Sequence, residues 1–369
     1  MIIRTEDIKS ISNIILYAVD TKDTSTVTET LELLVEDGIL NFNVTNGEYF
    51  VNAKLPLYED ISFHATVNAS IFLKLISQVT TETIDFNIID NCLVLSCNGI
   101  YKFPLIYDGD KLLELPKIHI DNITSEFDID SAVLLSILKY NSKQLTIGNV
   151  HNPVQKMYYL DENGAITFTS GACVNSFSLD SPIKILLTQK IVRLFKLFNG
   201  QCVHFTIGHD AVSDSLLKTK LRFETDSVSI TSIMSCDDSL LNSFPAKLIR
   251  ATADEDYPYS AVINKNDLIS AINRFMVFCN DKFSCMCSFV FNDSCLELSN
   301  INKSTVESIN YINRIESGCS YLAHLDLLEL KSAIDCYSDD YVNIFFGNNK
   351  SILVSRGSVV NIIPEAQVT

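Results

Sequence analysis

The sequence contains no tryptophan, and only 12 glycines and 8 prolines among 369 residues. With so little glycine there is no phosphate-cradling loop, and none of the patterns G-x-G-x-x-G, G-x-x-x-x-G-K-[ST] or G-x-S-x-G occurs. That excludes the usual nucleotide-binding and nucleophile-elbow enzymes. The fragment Gly208-His209-Asp210 reads as an ordinary hairpin turn rather than part of a triad, so no catalytic residue is expected. No apolar run approaches the ~18–20 residues that span a bilayer, and the opening "MIIRTEDIKS" lacks a cleavable signal pattern. A soluble, cytoplasmic protein is expected. The eleven cysteines form no C-x-x-C pair; Cys285 and Cys287 are the closest, and most lie in apolar stretches. They read as reduced core residues, and His204 and His209, five apart, offer no zinc spacing. No metal or cofactor is expected. Positive charge is also scarce: 28 Lys and Arg stand against 45 Asp and Glu, for a net charge of −17. A conventional DNA binder is basic overall, so contact with nucleic acid requires that the charges be segregated.

What is present is repetition. "LELLVEDGILNFNVTNG" (Leu31 to Gly47) is echoed by "MYYLDENGAITFTSG" (Met157 to Gly171) and "CSFVFNDSCLELSNIN" (Cys287 to Asn302). Each is an apolar run, a polar turn and an alternating strand. Phe42, Phe168 and Leu298 hold equivalent places, 126 and 130 residues apart, close to a third of the chain. That period is a whole domain, far beyond the ~20–50 residues of a solenoid repeat. Domain boundaries are expected near 122 and 250, giving domains 1–122, 123–250 and 251–369.

Strand-like alternation dominates, interrupted by six helical segments, two per repeat, near 6–18, 68–79, 131–144, 189–199, 265–280 and 325–337. Thr5, Asn68, Thr188 and Asn264 stand where N-caps belong. Single apolar stripes such as Leu134, Leu135 and Leu138, or Ile191, Leu194, Phe195 and Phe198, predict one buried face each. Asp37-Gly38, Asn163-Gly164 and Gly347-Asn348-Asn349 suit hairpins. The six segments hold ten Lys and Arg against six acids, a net of +4 within a chain of −17. The charges are segregated: the helices are weakly basic and the remainder is strongly acidic. The last helix, with one base against three acids, is net acidic, as is the first, with one against two.

Four short stretches carry a family resemblance. "NRFMVFCNDKF" (Asn273 to Phe283), "SFPAKLIRA" (Ser243 to Ala251), "FTSG" (Phe168 to Gly171) and the closing "VVNIIPEAQVT" resemble, in order and spacing, segments of the bacterial sliding clamp, the DNA polymerase III β subunit. The likeness spans the whole chain. It departs from the family at Ala172-Cys173, where His-Arg is usual, and at Glu365 and Ala366, where apolar and basic residues follow the final proline.

The resemblance implies an α+β fold of three clamp domains, each with two helices against antiparallel sheets, closing head to tail as a homodimeric ring. It implies sequence-independent contact with double-stranded DNA through Lys74, Lys139, Lys143, Lys190, Arg193, Lys196 and Arg274. It implies a pocket for peptides of a DNA polymerase and of a clamp-loader ATPase at Thr169, Gly171, Val174, Pro245, Ile249, Ile362, Ile363 and Pro364. By position, Phe103 and Leu105 would meet Val277 and Phe278 across the dimer joint. Two other readings stay open: a clamp-fold protein that captures clamp partners without encircling DNA, and an all-β binding protein. The absence of tryptophan and the scattered tyrosines disfavour the second.

Overall fold

The computed structural model describes residues 1–19, 25–57, 61–145, 152–213, 216–235, 238–279, 285–313 and 320–366. One order of elements recurs three times: a strand, a helix, four strands, a second helix and three strands. Ile2–Arg4, Ile123–Asp130 and Tyr259–Asn264 lead the three rounds. Phe42, Phe168 and Leu298 fall on the third strand of each round. Every strand pairing among the described residues is antiparallel, so the fold is α+β.

The helices form where cap and stripe coincide. The carboxamide oxygen of Asn68 accepts from the amide of Ile71 at 3.0 Å, opening the helix Ala69–Gln78. Asn264 caps Lys265–Met276 by accepting from Asn266 and Asp267. Asp326 does the same for Leu327–Asp335. These bonds satisfy amides that no helical carbonyl can reach. Thr5 behaves differently. It is the first residue of the helix Thr5–Ala18 and is buried, while Arg4 occupies the cap position without a side-chain capping bond, its guanidinium instead donating to the Asp7 carboxylate. The run 131–144 is helical throughout but contains a π-turn, Ile137–Asn141. Of its expected stripe, Leu134 is fully buried and Leu135 and Leu138 are half-buried. In the run 189–198 all four expected residues are buried. The helix from Lys265 ends at Met276, short of 280. Two further helices, Asp238–Ser243 and Ala246–Ala253, lie in the stretch read from sequence as a boundary.

The chain divides into two compact units. The first comprises Met1–Ser131 and Leu194–Asp237. It holds a four-stranded sheet ordered Ile2–Arg4, Thr83–Ile89, Cys92–Ser96, Ile100–Pro104. Its eight-stranded sheet is continuous because Val228–Ser235 pairs with Tyr49–Pro56, Val228 opposite Ala53 and Ser232 opposite Tyr49. Phe195, Phe205 and Phe223 fill the core under that sheet, with Phe205 stacked on Phe223 at 4.4 Å between centroids.

The second unit comprises Ala132–Arg193 and Asp238–Thr369. Its eight-stranded sheet is joined by the pairing of Ala172–Ser176 with Val359–Pro364. A four-stranded sheet runs in the order Val306–Asn310, Cys295–Asn300, Met286–Asn292, Ser320–Asp326. Its core gathers Phe275, Phe289, Phe291, Leu330, Phe346 and Ile363. One cysteine pair comes together that the spacing did not suggest: Cys279 and Cys285 lie with their Cα atoms 5.6 Å apart. A separation of six residues carries no sequence signal; the end of a helix and the start of a strand bring the two together. Cys173, Cys287 and Cys336 are free and buried, as expected of core thiols.

Candidate functional site

The second unit brings most of the expected pocket residues to one place, and strand alternation decides which of them share a face. Ala172 pairs with Ile362 and Val174 with Val360. On the preceding strands Phe168 pairs with Ala172, Ile166 with Val174, and Tyr159 with Ile166. The ring of Phe244 stacks on Tyr159 and meets Phe168 edge-on, both at 5.0 Å. The face of Tyr159, Ile166, Phe168, Ala172, Val174 and Ile362 is therefore the face on which Phe244 rests. The helix Ala246–Ala253 packs across the two joined strands Ala172–Ser176 and Val359–Pro364. It buries Ala246 and Ile249 and leaves Leu248 69% exposed. Pro245 precedes it, half-buried, at the cap position. Val174, Pro245, Ile249, Ile362 and Pro364 thus belong to one apolar strip. Arg250 holds the helix down by a 2.5 Å ion pair with Asp161.

Three expected residues face elsewhere. Ile363 points to the opposite side of its strand and is part of the core with Cys173 and Val359. The Thr169 hydroxyl turns toward Gln144, whose Nε2 lies 3.3 Å away. Gly171 closes the turn, with its carbonyl accepting from the Thr169 amide at 2.8 Å. It must be glycine for lack of room: a Cβ would lie 2.6 Å from the Ile362 carbonyl and 2.9 Å from Gln144 Nε2. The same Cβ position lies 3.5 Å from a carboxylate oxygen of Glu329, a residue that sequence reasoning missed. Glu329 is 6% exposed, and burial, reinforced by the charge of Asp326, pushes its pKa up to about 7. At the chain end Glu365 accepts a hydrogen bond from the Tyr321 hydroxyl, and burial raises its pKa.

The seven expected DNA-facing cations all lie on helices, but not in equal condition. In the first unit, Lys74 and Lys196 are exposed. In the second, Lys139 and Lys143 are exposed, while Lys190 and Arg193 are half-buried. Lys139 lies in the π-turn with its ammonium 4.8 Å from the Tyr140 ring centroid. Arg274 is already engaged by Glu307, which takes a bidentate bond from its guanidinium and raises its pKa. At the expected joint, Val277 and Phe278 are 79% and 62% exposed. Phe103 is not available: it is buried in its own unit, 5.9 Å from the Phe72 ring, and Leu105 is half-buried. On the same edge strand Ile100 is 73% exposed, and Tyr101 is also exposed. Among the described residues no group of three or more His, Cys, Asp and Glu is placed to hold a metal, and no helix is long and apolar enough to cross a membrane.

This arrangement of sheets and helices is the sliding-clamp fold. Solved structures of DNA polymerase III β sliding clamps match it along essentially their whole length. The clamp from Pseudomonas aeruginosa, solved bound to griselimycin, superposes with a TM-score of 0.81 at 14% identity, covering 100% of this chain and 99% of that one. The clamps from Thermotoga maritima and Bacillus subtilis give TM-scores of 0.78 and 0.77 at 13% and 12% identity, each over 100% of this chain and 99% of its own. At such identities the likeness is one of fold. By sequence, no protein-family model and no curated protein matches the chain.

Proposed function

We propose that this protein is a DNA polymerase processivity clamp: two copies close head to tail around duplex DNA and tether the polymerase to it. It acts without catalysis, as three clamp domains corresponding to 1–122, 123–250 and 251–369. The observation that carries the reading is the sheet junction. In the order of strands, the fourth of the first round pairs with the last of the second, and the fourth of the second with the last of the third. Two edges are left over: Val306–Asn310, the fourth of the third round, and Ile100–Pro104, the last of the first. Repeating the same junction once more requires a second copy, and doing so on both sides closes a dimer. Open edges invite pairing, and exposed Ile100, Tyr101, Val277, Phe278 and Val306 supply the apolar contact.

Inside such a ring, Lys74, Lys139, Lys143, Lys190, Arg193 and Lys196 supply positive charge for phosphates without reading bases. Arg274 contributes less, because Glu307 already neutralises it. The strongly acidic remainder of the chain discourages contact with DNA from outside. The apolar strip of Val174, Pro245, Ile249, Ile362 and Pro364, with exposed Leu248 at its border, is where a short peptide from polymerase or loader docks. No phosphate loop occurs in the sequence, so a separate ATPase opens the ring.

The test is native mass together with retention on closed circular duplex. A dimer of twice 41.3 kDa that stays on circles and is lost from linear ends supports the reading. A monomer, or equal loss from circles and linear DNA, overturns it. Lys190→Glu, Arg193→Glu and Lys196→Glu together separate a clamp from a protein that only captures clamp partners. They abolish retention in the first case and change nothing in the second.

A further inference from the structure

The first unit carries a patch that phosphate contact alone does not require. The helix Thr5–Ala18 buries Ile8, Ile11, Ile15 and Ala18, so its core stripe is complete. Its last turns nonetheless expose Leu16 and Tyr17, at 59% and 55%. Lys196, on the helical run 193–198 of the same unit, holds its ammonium 5.9 Å from the Tyr17 ring centroid. That is the outer limit of a cation–π contact, so the ring is only loosely covered. The run 189–198 contains no acid, and the acids of the first helix, Glu6 and Asp7, lie in its first turn. At 1.5 Å per residue they are about 15 Å from Tyr17 along the axis.

We infer that Tyr17, Leu16 and Lys196 form a contact for unpaired nucleotides of single-stranded DNA. The inference rests on the reading that this helical face meets DNA. In a duplex the faces of the bases are buried in the stack, so an exposed phenol ring finds no flat partner. In a single strand they are free, and a base laid on Tyr17 against Leu16 buries apolar surface on both sides. Lys196 then turns from the ring to the adjacent phosphate. An aromatic platform beside a cation is how sequence-independent single-strand contacts are built. A clamp with such a contact can hold the strand that leaves the duplex at a primer end.

The experiment is fluorescence anisotropy of labelled oligo-dT and of a duplex of equal length, with wild-type protein and three variants. Tyr17→Ala lowers affinity for oligo-dT by roughly tenfold, the scale of one lost base–aromatic stack, and leaves the duplex unaffected. Tyr17→Phe keeps the ring and retains binding. Lys196→Glu weakens both ligands and flattens the salt dependence. Unchanged oligo-dT binding by Tyr17→Ala, or an equal loss for both ligands, overturns the inference. So does a change in oligomeric mass with oligo-dT binding intact, which would make the patch a contact between copies. Failure of the clamp reading shows separately, as loss of retention on circular duplex by wild-type protein.

Discussion

Glu329 carries a large and measurable electrostatic consequence. It sits on the helix Leu327–Asp335, 6% exposed, behind the Thr169–Gly171 turn and beside Asp326. Its folded pKa of about 7 stands against an ordinary value of 4.5. Below pH ~4.5 the carboxyl is neutral in both folded and unfolded chains and costs nothing. Between 4.5 and about 7 the unfolded chain releases this proton while the folded chain keeps it, so stability falls as pH rises. Above 7 both forms are ionised and the penalty is constant. With 1.36 kcal/mol per pKa unit, the full penalty is about 3 kcal/mol. Glu329→Gln keeps the shape and removes the charge. It is expected to be more stable than wild type by up to about 3 kcal/mol at pH ~8, with the gain shrinking toward zero by pH ~4.5. Urea titrations followed by far-UV circular dichroism at a series of pH values measure this, since tryptophan fluorescence is not an option. A gap between the two proteins that is independent of pH, or that widens toward acid, would refute the reasoning.

Four further outcomes follow from particular contacts. Gly171→Ala places a methyl group 2.6 Å from the Ile362 carbonyl, a backbone atom that cannot swing aside; a loss of about 1–3 kcal/mol in the urea titration is expected. Val277→Asp with Phe278→Asp changes residues that are exposed in the single chain, so it should yield folded monomers by native mass spectrometry; a persistent dimer removes them from the joint. Leu248→Asp, at a 69% exposed position, should leave fold and DNA retention intact while reducing polymerase stimulation several-fold, whereas Ile363→Asp should simply unfold the second unit because that side chain is in its core.

The sequence by itself determined the elements and their recurrence. Alternation, caps and apolar stripes are local: a carboxamide at Asn68 or Asn264 reaches amides two or three residues on, and residues 191, 194, 195 and 198 share a helical face whatever surrounds them. The threefold order was legible for the same reason, since each round repeats the local signals. The helix Ala246–Ala253 escaped because it is only eight residues long, too short for a repeating apolar stripe, and its stability comes from packing on two strands and from the Arg250–Asp161 pair 89 residues apart. Only the tertiary structure decided which face each pocket residue took. Pairing of Ala172 with Ile362 sets Ile362 in the strip and Ile363 in the core, because neighbours on a strand point to opposite sides. It also decided that Glu307 claims Arg274, that Phe103 packs on Phe72, and that a buried Glu329 stands behind Gly171. Charge and hydropathy show what a side chain can do. What it meets depends on contacts tens of residues away, and those exist only once the sheets have formed.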